Sequence, residues 1–478
     1  MNMIHYCSIE PEYKQHCRRS NRECNFSQQH LTHQLITLLS VFCDYGLPTH
    51  LRRCGDEPLV WRARYAVGRH HPPLALAAAD TNVAACKLDA GSGANSIRGF
   101  DLKGAVPAAS GEVRGWMMFV DFPDAQAADA GYSAKGVYDS VVPPADPWFR
   151  TASNGRMSLN VSADVDRIYR MPKNSTAYHW DNMAATYGQM VFLEDALEAY
   201  MDANGIAAED IKSKLPDLDV LYVVPSLNAP NFRISYAPQW PPQTRSRNGT
   251  DGNIVEGETV ARRAVTFGTN VYRDQGLSDG GGLKGWKMLV HETSHTLGLP
   301  DYYPLELTRL EGEFVGGFSI MGAIGEVAPD MFAFDKWRLG WMDDSAMQCI
   351  TEKGSSTHVL QPLAADSGVR AVMIPTSRTT ALVAEARTPR GVDAKSCATG
   401  VLLYTIDTEV VSGSGPVRVV DTLEQELHWC GGYSLNMAPL SFVELRSSSK
   451  TIKELGITVT LLEHDESADT WKIKVDYN

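Results

Sequence analysis

The sequence predicts an α+β domain followed by an all-β, sandwich-like domain, and two observations carry that expectation. Residues 286–303 read Trp-Lys-Met-Leu-Val-His-Glu-Thr-Ser-His-Thr-Leu-Gly-Leu-Pro-Asp-Tyr-Tyr, an apolar-led helix closed by a glycine and a proline. Helical repeats and short buried-strand runs precede it. From about residue 346 the helical spacing stops, and short strand signals follow one another between turns. The expected domains are therefore 111–345 and 346–478.

At 478 residues the chain has room for two or three domains, each with its own core. Its 44% hydrophobic and 21% charged content is ordinary for a globular protein. A net charge of −13 argues against nucleic acid, whose binding relies on basic patches. No apolar run has the length of a transmembrane span. The expected state is a monomer.

Residues 1–80 hold seven of the thirteen histidines and five of the nine cysteines (Cys7, Cys17, Cys24, Cys43 and Cys54) without clear periodicity. They read as a poorly ordered leader, a pro-segment or a misassigned start. The run 35–43 has the length of an export-signal core but lies too far from Met1. Residues 81–110, rich in Ala and Gly, read as a linker. The remaining cysteines, Cys86, Cys349, Cys397 and Cys430, allow two disulfides of undetermined pairing, or four free thiols in a reducing compartment. Sequons stand at Asn160, Asn174 and Asn248.

Residues 114–122 are a continuous apolar run suited to a buried strand. Residues 183–204 repeat Tyr187, Met190, Leu193, Leu197 and Met201 at helical spacing, with Asp181 and Gly205 as caps. Residues 220–224 and 264–267 are further strands. Gly280-Gly281-Gly282 lacks the Gly-Lys-Ser/Thr of a phosphate loop and reads as a hinge. In the second domain, 370–374, 382–386, 401–406 and 457–461 are strand-like. Trp471, Ile473, Val475 and Tyr477 alternate with polar residues, as on a half-exposed strand.

The chemistry concentrates in 286–303. His291 and His295 are one helical turn apart and can face the same point. Gly298 and Pro300 end the helix, so the chain can fold back and bring Asp301 to the same point as a third ligand. Two neutral imidazoles and a carboxylate suit Zn2+ with a fourth position open, and Glu292 can reach a water there as general base. Calcium (Ca2+) stays open, since no Asp-x-Asp-x-Asp-Gly run occurs.

These residues resemble the M6 (immune inhibitor A-like) zinc metalloproteases and the small snapalysin-type proteases, with Ser294 where that family usually has Gly. Residues 119–124, Phe-Val-Asp-Phe-Pro-Asp, resemble the opening of the M6 catalytic domain. Residues 147–159 look like the turn and strand that follow, and 334–341 like the block that closes it, with a packing role. The resemblance spans roughly 95–478 and implies a zincin-like catalytic domain. It makes 316–322 a counterpart of the Met-turn, with Met321 beneath the ligands or simply in the core. By zincin analogy, 264–267 either lines the cleft or is a plain sheet edge.

The expected activity is hydrolysis of peptide bonds by a zinc endopeptidase that acts on proteins or peptides. Tyr302, Tyr303 and His179 are unranked candidates for substrate contact or oxyanion stabilisation. The family resemblance implies secretion, although no signal peptide is visible. Two other readings are a non-catalytic protein with a structural zinc that binds a surface or glycan, and a metal-dependent hydrolase of a non-peptide bond. Structural zinc sites usually have four Cys or His ligands, and this motif offers three ligands in all.

Overall fold

The computed structural model describes residues 83–89 and 109–478, apart from 181–185, 239–240, 248–253, 276–284, 307, 326–328, 397–398, 424–432 and 444. The leader 1–80, Asp181, Met183, Asn248, the 280–282 hinge, Cys397 and Cys430 thus lie outside the described residues. Ala77–Asn478 makes one compact unit, with helices and sheets mixed and several separate sheets.

The first sheet joins β1 (Gly111–Asp121), β2 (Met157–Ala163), β3 (Tyr169–Arg170), β4 (Leu218–Pro225) and β7 (Ala261–Thr266). Its order is β2-β1-β4-β7, with β3 on the far end of β1, and every pairing is parallel. β1 from Trp116 and β4 from Val220 are apolar without alternation because both faces are covered there, whereas β2 alternates buried and more exposed residues. Val113, Met117 and Phe119 of β1 enter one core, while Trp116, Met118 and Val120 enter another. Helix α1 (Ala134–Ala152) packs on the first face and helix α2 (Thr186–Asn204) on the second. Leu193, Leu197 and Met201 of α2 are buried, and Gly205 ends the helix with φ +62°. β7 takes the outer position in the strand order, so the 264–267 run lies at an edge. β5 (Gln243–Arg247) and β6 (Ile254–Thr259) make a separate hairpin.

The 147–149 stretch is helical, not a turn. It belongs to α1, which contains Pro143, Pro144 and Pro147. Each proline removes a hydrogen bond, yet Val137, Val141, Ala145, Trp148 and Phe149 bury one face of the helix, and that packing outweighs the loss. Helix α3 (Gly285–Thr296), which carries the histidines, packs beside α1 on the same side of the sheet. Helix α4 (Ala333–Arg338) and the fully buried Trp341 fill the core behind it.

The C-terminal region is two sheets face to face. One is ordered β13-β12-β11-β10-β8, from Val417–Val419, Gly400–Asp407, Thr380–Arg387, Ala371–Pro375 and Met347–Cys349. The other is ordered β14-β15-β16-β9, from Ser449–Ile452, Ile457–Asp465, Thr470–Tyr477 and Gly354–Leu360. All these pairings are antiparallel except β8 with β10. Leu382, Ala384, Val401 and Leu403 meet the second sheet. Val383, Leu402, Tyr404 and Ile406, pointing the other way, join the core that holds α1 and α3. The expected boundary at 345/346 therefore runs through a shared core.

The linker expectation for 81–110 needs correcting at 83–89. Cys86 is fully buried and forms a disulfide with Cys349. Asp89 N–H donates to Arg378 O at 2.7 Å, and Thr408 Oγ1 donates to Asp89 O at 2.7 Å. The Ala- and Gly-rich composition hid a segment anchored by one cysteine.

Candidate metal centre

Helix α3 is buried nearly all round, and Thr293 and Ser294 find partners inside the fold. Thr293 Oγ1 lies 2.8 Å from the Tyr222 hydroxyl of β4. Ser294 is accommodated by donating its hydroxyl to Val290 O at 2.8 Å. At the C-terminal end, Gly298 takes φ +90°, and Leu299 N–H turns back to Ser294 O. A left-handed residue there is what glycine permits and a side chain resists.

That turn sets the ligand geometry. His291 Nε2, His295 Nε2 and Asp301 Oδ1 form a triangle with edges of 3.1, 3.1 and 3.3 Å. Three ligands roughly 2.0–2.1 Å from one zinc ion at tetrahedral angles stand about 3.3 Å apart. His291 Nδ1 lies 2.9 Å from Ile320 O, and His295 Nδ1 lies 2.7 Å from Leu299 O. A carbonyl only accepts, so both Nδ1 atoms carry the hydrogen, and each neutral ring presents its Nε2 lone pair. With both rings neutral, three acceptors converge with no donor among them. The donor set fits a divalent cation, and among the described residues it is the only His/Cys/Asp/Glu group with that geometry.

With only protons to share, burial opposes charge on His295, but Asp301 and Glu292 outweigh it and raise the imidazole to about 9. Asp301, also against burial, is held well below the usual carboxylate range by His295 and His291. An entering cation displaces such a proton. Glu292 is buried, which pushes its carboxyl up, and the two imidazoles offset part of that rise. Among the described residues none donates a hydrogen bond to it.

The three remaining candidates separate. The Tyr303 ring lies 6.0 Å from that of His291, and its hydroxyl feels the charge of Asp301. Burial, Asp301 and Glu292 hold that hydroxyl protonated well above its ordinary value. Tyr302 points the other way, fully buried, and donates to Asp335 Oδ1 at 2.6 Å. His179 is exposed, with φ +51°, and no described hydrogen bond or ring contact joins it to the triad. Met321 is buried one residue after the carbonyl that holds His291, and its own carbonyl accepts from Tyr302 N–H.

Sequence reasoning missed the residues that brace this centre from the C-terminal region. Ser412 bonds Asp301 twice. Arg387 Nη2 donates to Phe318 O at 3.0 Å, and Gly317 N–H donates to Asn436 Oδ1 at 2.6 Å. Nothing in a single sequence marks contacts between residues so far apart.

No protein-family model matches the chain, and no curated protein matches it either. Among the described residues no helix is long and apolar enough to cross a membrane.

Proposed function

We propose that the chain is a zinc-dependent endopeptidase of the M6-like, zincin type. The observation that carries this reading is the convergence of His291 Nε2, His295 Nε2 and Asp301 Oδ1 within 3.3 Å of one another. Zinc, when bound there, supplies a Lewis acid that polarises a peptide carbonyl and eases deprotonation of water at neutral pH. Glu292 takes the proton of the attacking water and passes it to the leaving amine nitrogen. Its burial supports that role, because desolvation makes the carboxylate a better base. Tyr303, kept protonated beside Asp301, is the candidate donor to the developing oxyanion. The Cys86–Cys349 disulfide supports an oxidising compartment, in keeping with secretion.

The test is Glu292→Ala assayed on casein together with metal content. The expected result is a chain that retains one zinc and loses cleavage by at least about 100-fold, the usual scale for a general base. A variant that cleaves casein at the wild-type rate refutes the mechanism. Zinc retained by a wild-type chain that cleaves no protein would favour the non-peptide hydrolase or structural-site readings.

A further inference from the structure

The third ligand is oriented from outside its own segment. Asp301 N–H donates to Ser412 Oγ at 2.8 Å, and Ser412 Oγ donates back to Asp301 Oδ2 at 2.9 Å. One hydroxyl serves both bonds, since it offers a single hydrogen and two lone pairs. Beside it, Gly413 N–H donates to Asp301 O at 3.0 Å, and Leu305 N–H donates to Gly413 O at 3.1 Å. The connection between β12 and β13 is thus pinned to both sides of 301–305. Its sequence, Ser412-Gly413-Ser414-Gly415, suits that approach. Gly413 and Gly415 have φ of +73° and +85°, and a Cβ on Gly413 would collide with the Leu305 side chain.

We infer that Ser412 is the positioning residue for Asp301. By holding Oδ2 it leaves Oδ1 as the atom that faces both imidazoles, at 3.1 and 3.3 Å. This rests on the metal reading of the triad, and it makes the C-terminal sheet a working part of the centre. Without the hydroxyl, Oδ2 loses the bond that distinguishes it from Oδ1, and the carboxylate can present either oxygen, or both. Partners that orient a metal ligand typically change affinity by about 10–100-fold.

The experiment uses the full chain, with zinc affinity read by competition with a chromophoric chelator and geometry read from the visible spectrum of the cobalt(II) form. Ser412→Ala is expected to weaken zinc by about 10–100-fold and to alter the cobalt bands. Ser412→Thr, which keeps the hydroxyl, restores both. Zinc raises the thermal midpoint of Ser412→Ala less than that of the wild type, which a merely structural loss would not produce. Ser412→Cys, close in shape and only a weak donor, gives the same reading should the alanine variant not fold. Wild-type affinity and spectrum in both Ala and Cys variants overturn the assignment, as does a threonine variant no better than alanine. A wild-type chain that takes up neither ion sinks the metal reading, and this inference with it. Because no step needs proteolysis, a chain that binds zinc but cuts nothing still tests Ser412.

Discussion

Asp335 is a fully buried carboxyl whose Oδ1 accepts the Tyr302 hydroxyl and whose Oδ2 has no hydrogen-bond partner. Burial raises it to about 7, with Tyr302 and Arg338 offsetting part of the rise. The folded value lies above the unfolded one, so the folded chain keeps a proton that the unfolded chain gives up first. Stability from this group is therefore present below about pH 4 and is lost as pH rises towards 7. Asp335→Asn keeps an acceptor for Tyr302 and cannot titrate. Its stability relative to wild type should rise across that window by something on the order of a few kcal/mol, read from urea unfolding at several pH values. Parallel curves for the two proteins would show that the carboxyl ionises freely in the fold. Asp335 also explains why Tyr302 could not be told from Tyr303 in the sequence: neighbours on an irregular segment point to opposite sides, and only tertiary partners say which faces the ligands.

At the scale of elements, the helix bearing the histidines was the most legible part of the chain, because its logic is local. Spacing of four puts two imidazoles together, and glycine marks the end. The continuous apolar run at β1 announced a buried strand, and the strand-like runs 382–386 and 401–406 lie within β11 and β12. The alternation at 471–477 announced one buried face, and Trp471, Ile473 and Val475 are buried as that pattern implies. α1 was less legible, since three prolines argue locally for a break that packing overrides. The end of α3 gives the prediction at this scale. Gly298 at φ +90° returns the Leu299 carbonyl to His295 Nδ1 at 2.7 Å. A left-handed conformation costs an ordinary residue about 1–2 kcal/mol, and more when it is β-branched, while asparagine tolerates it. Gly298→Val should lower the thermal midpoint and weaken zinc in chelator competition, and Gly298→Asn should stay close to wild type. Equal behaviour of the two variants would mean that the turn does not set the imidazole.

For the whole molecule, the composition change at 346 was readable but its meaning was not. Strand texture told where a β region begins, whereas the residues that weld it to the first part are far apart in sequence. The rings of Phe332 and Tyr404 meet at a tilt with centroids 4.4 Å apart, and Ala333 N–H donates to Glu385 Oε2 at 2.7 Å. Buried Arg387 joins Glu385, Asp393 and the carbonyls of Phe318 and Met331. Cys86–Cys349 closes a span of 263 residues. A chain ending at residue 345 would keep both histidines, Glu292 and Asp301, yet lose Ser412, the Arg387 bond to the 316–322 turn and one wall of the core. Exposing that wall strips water-excluded contacts from Met331, Phe332 and Phe334, each worth about 1.5–3 kcal/mol of burial, which together rival the stability of a typical domain. Such a truncated chain should show no cooperative thermal transition and no stoichiometric zinc by equilibrium dialysis, even though the motif is complete. If it melts cooperatively and binds one zinc per chain, the two parts are independent domains after all, and the shared core is only a contact between them.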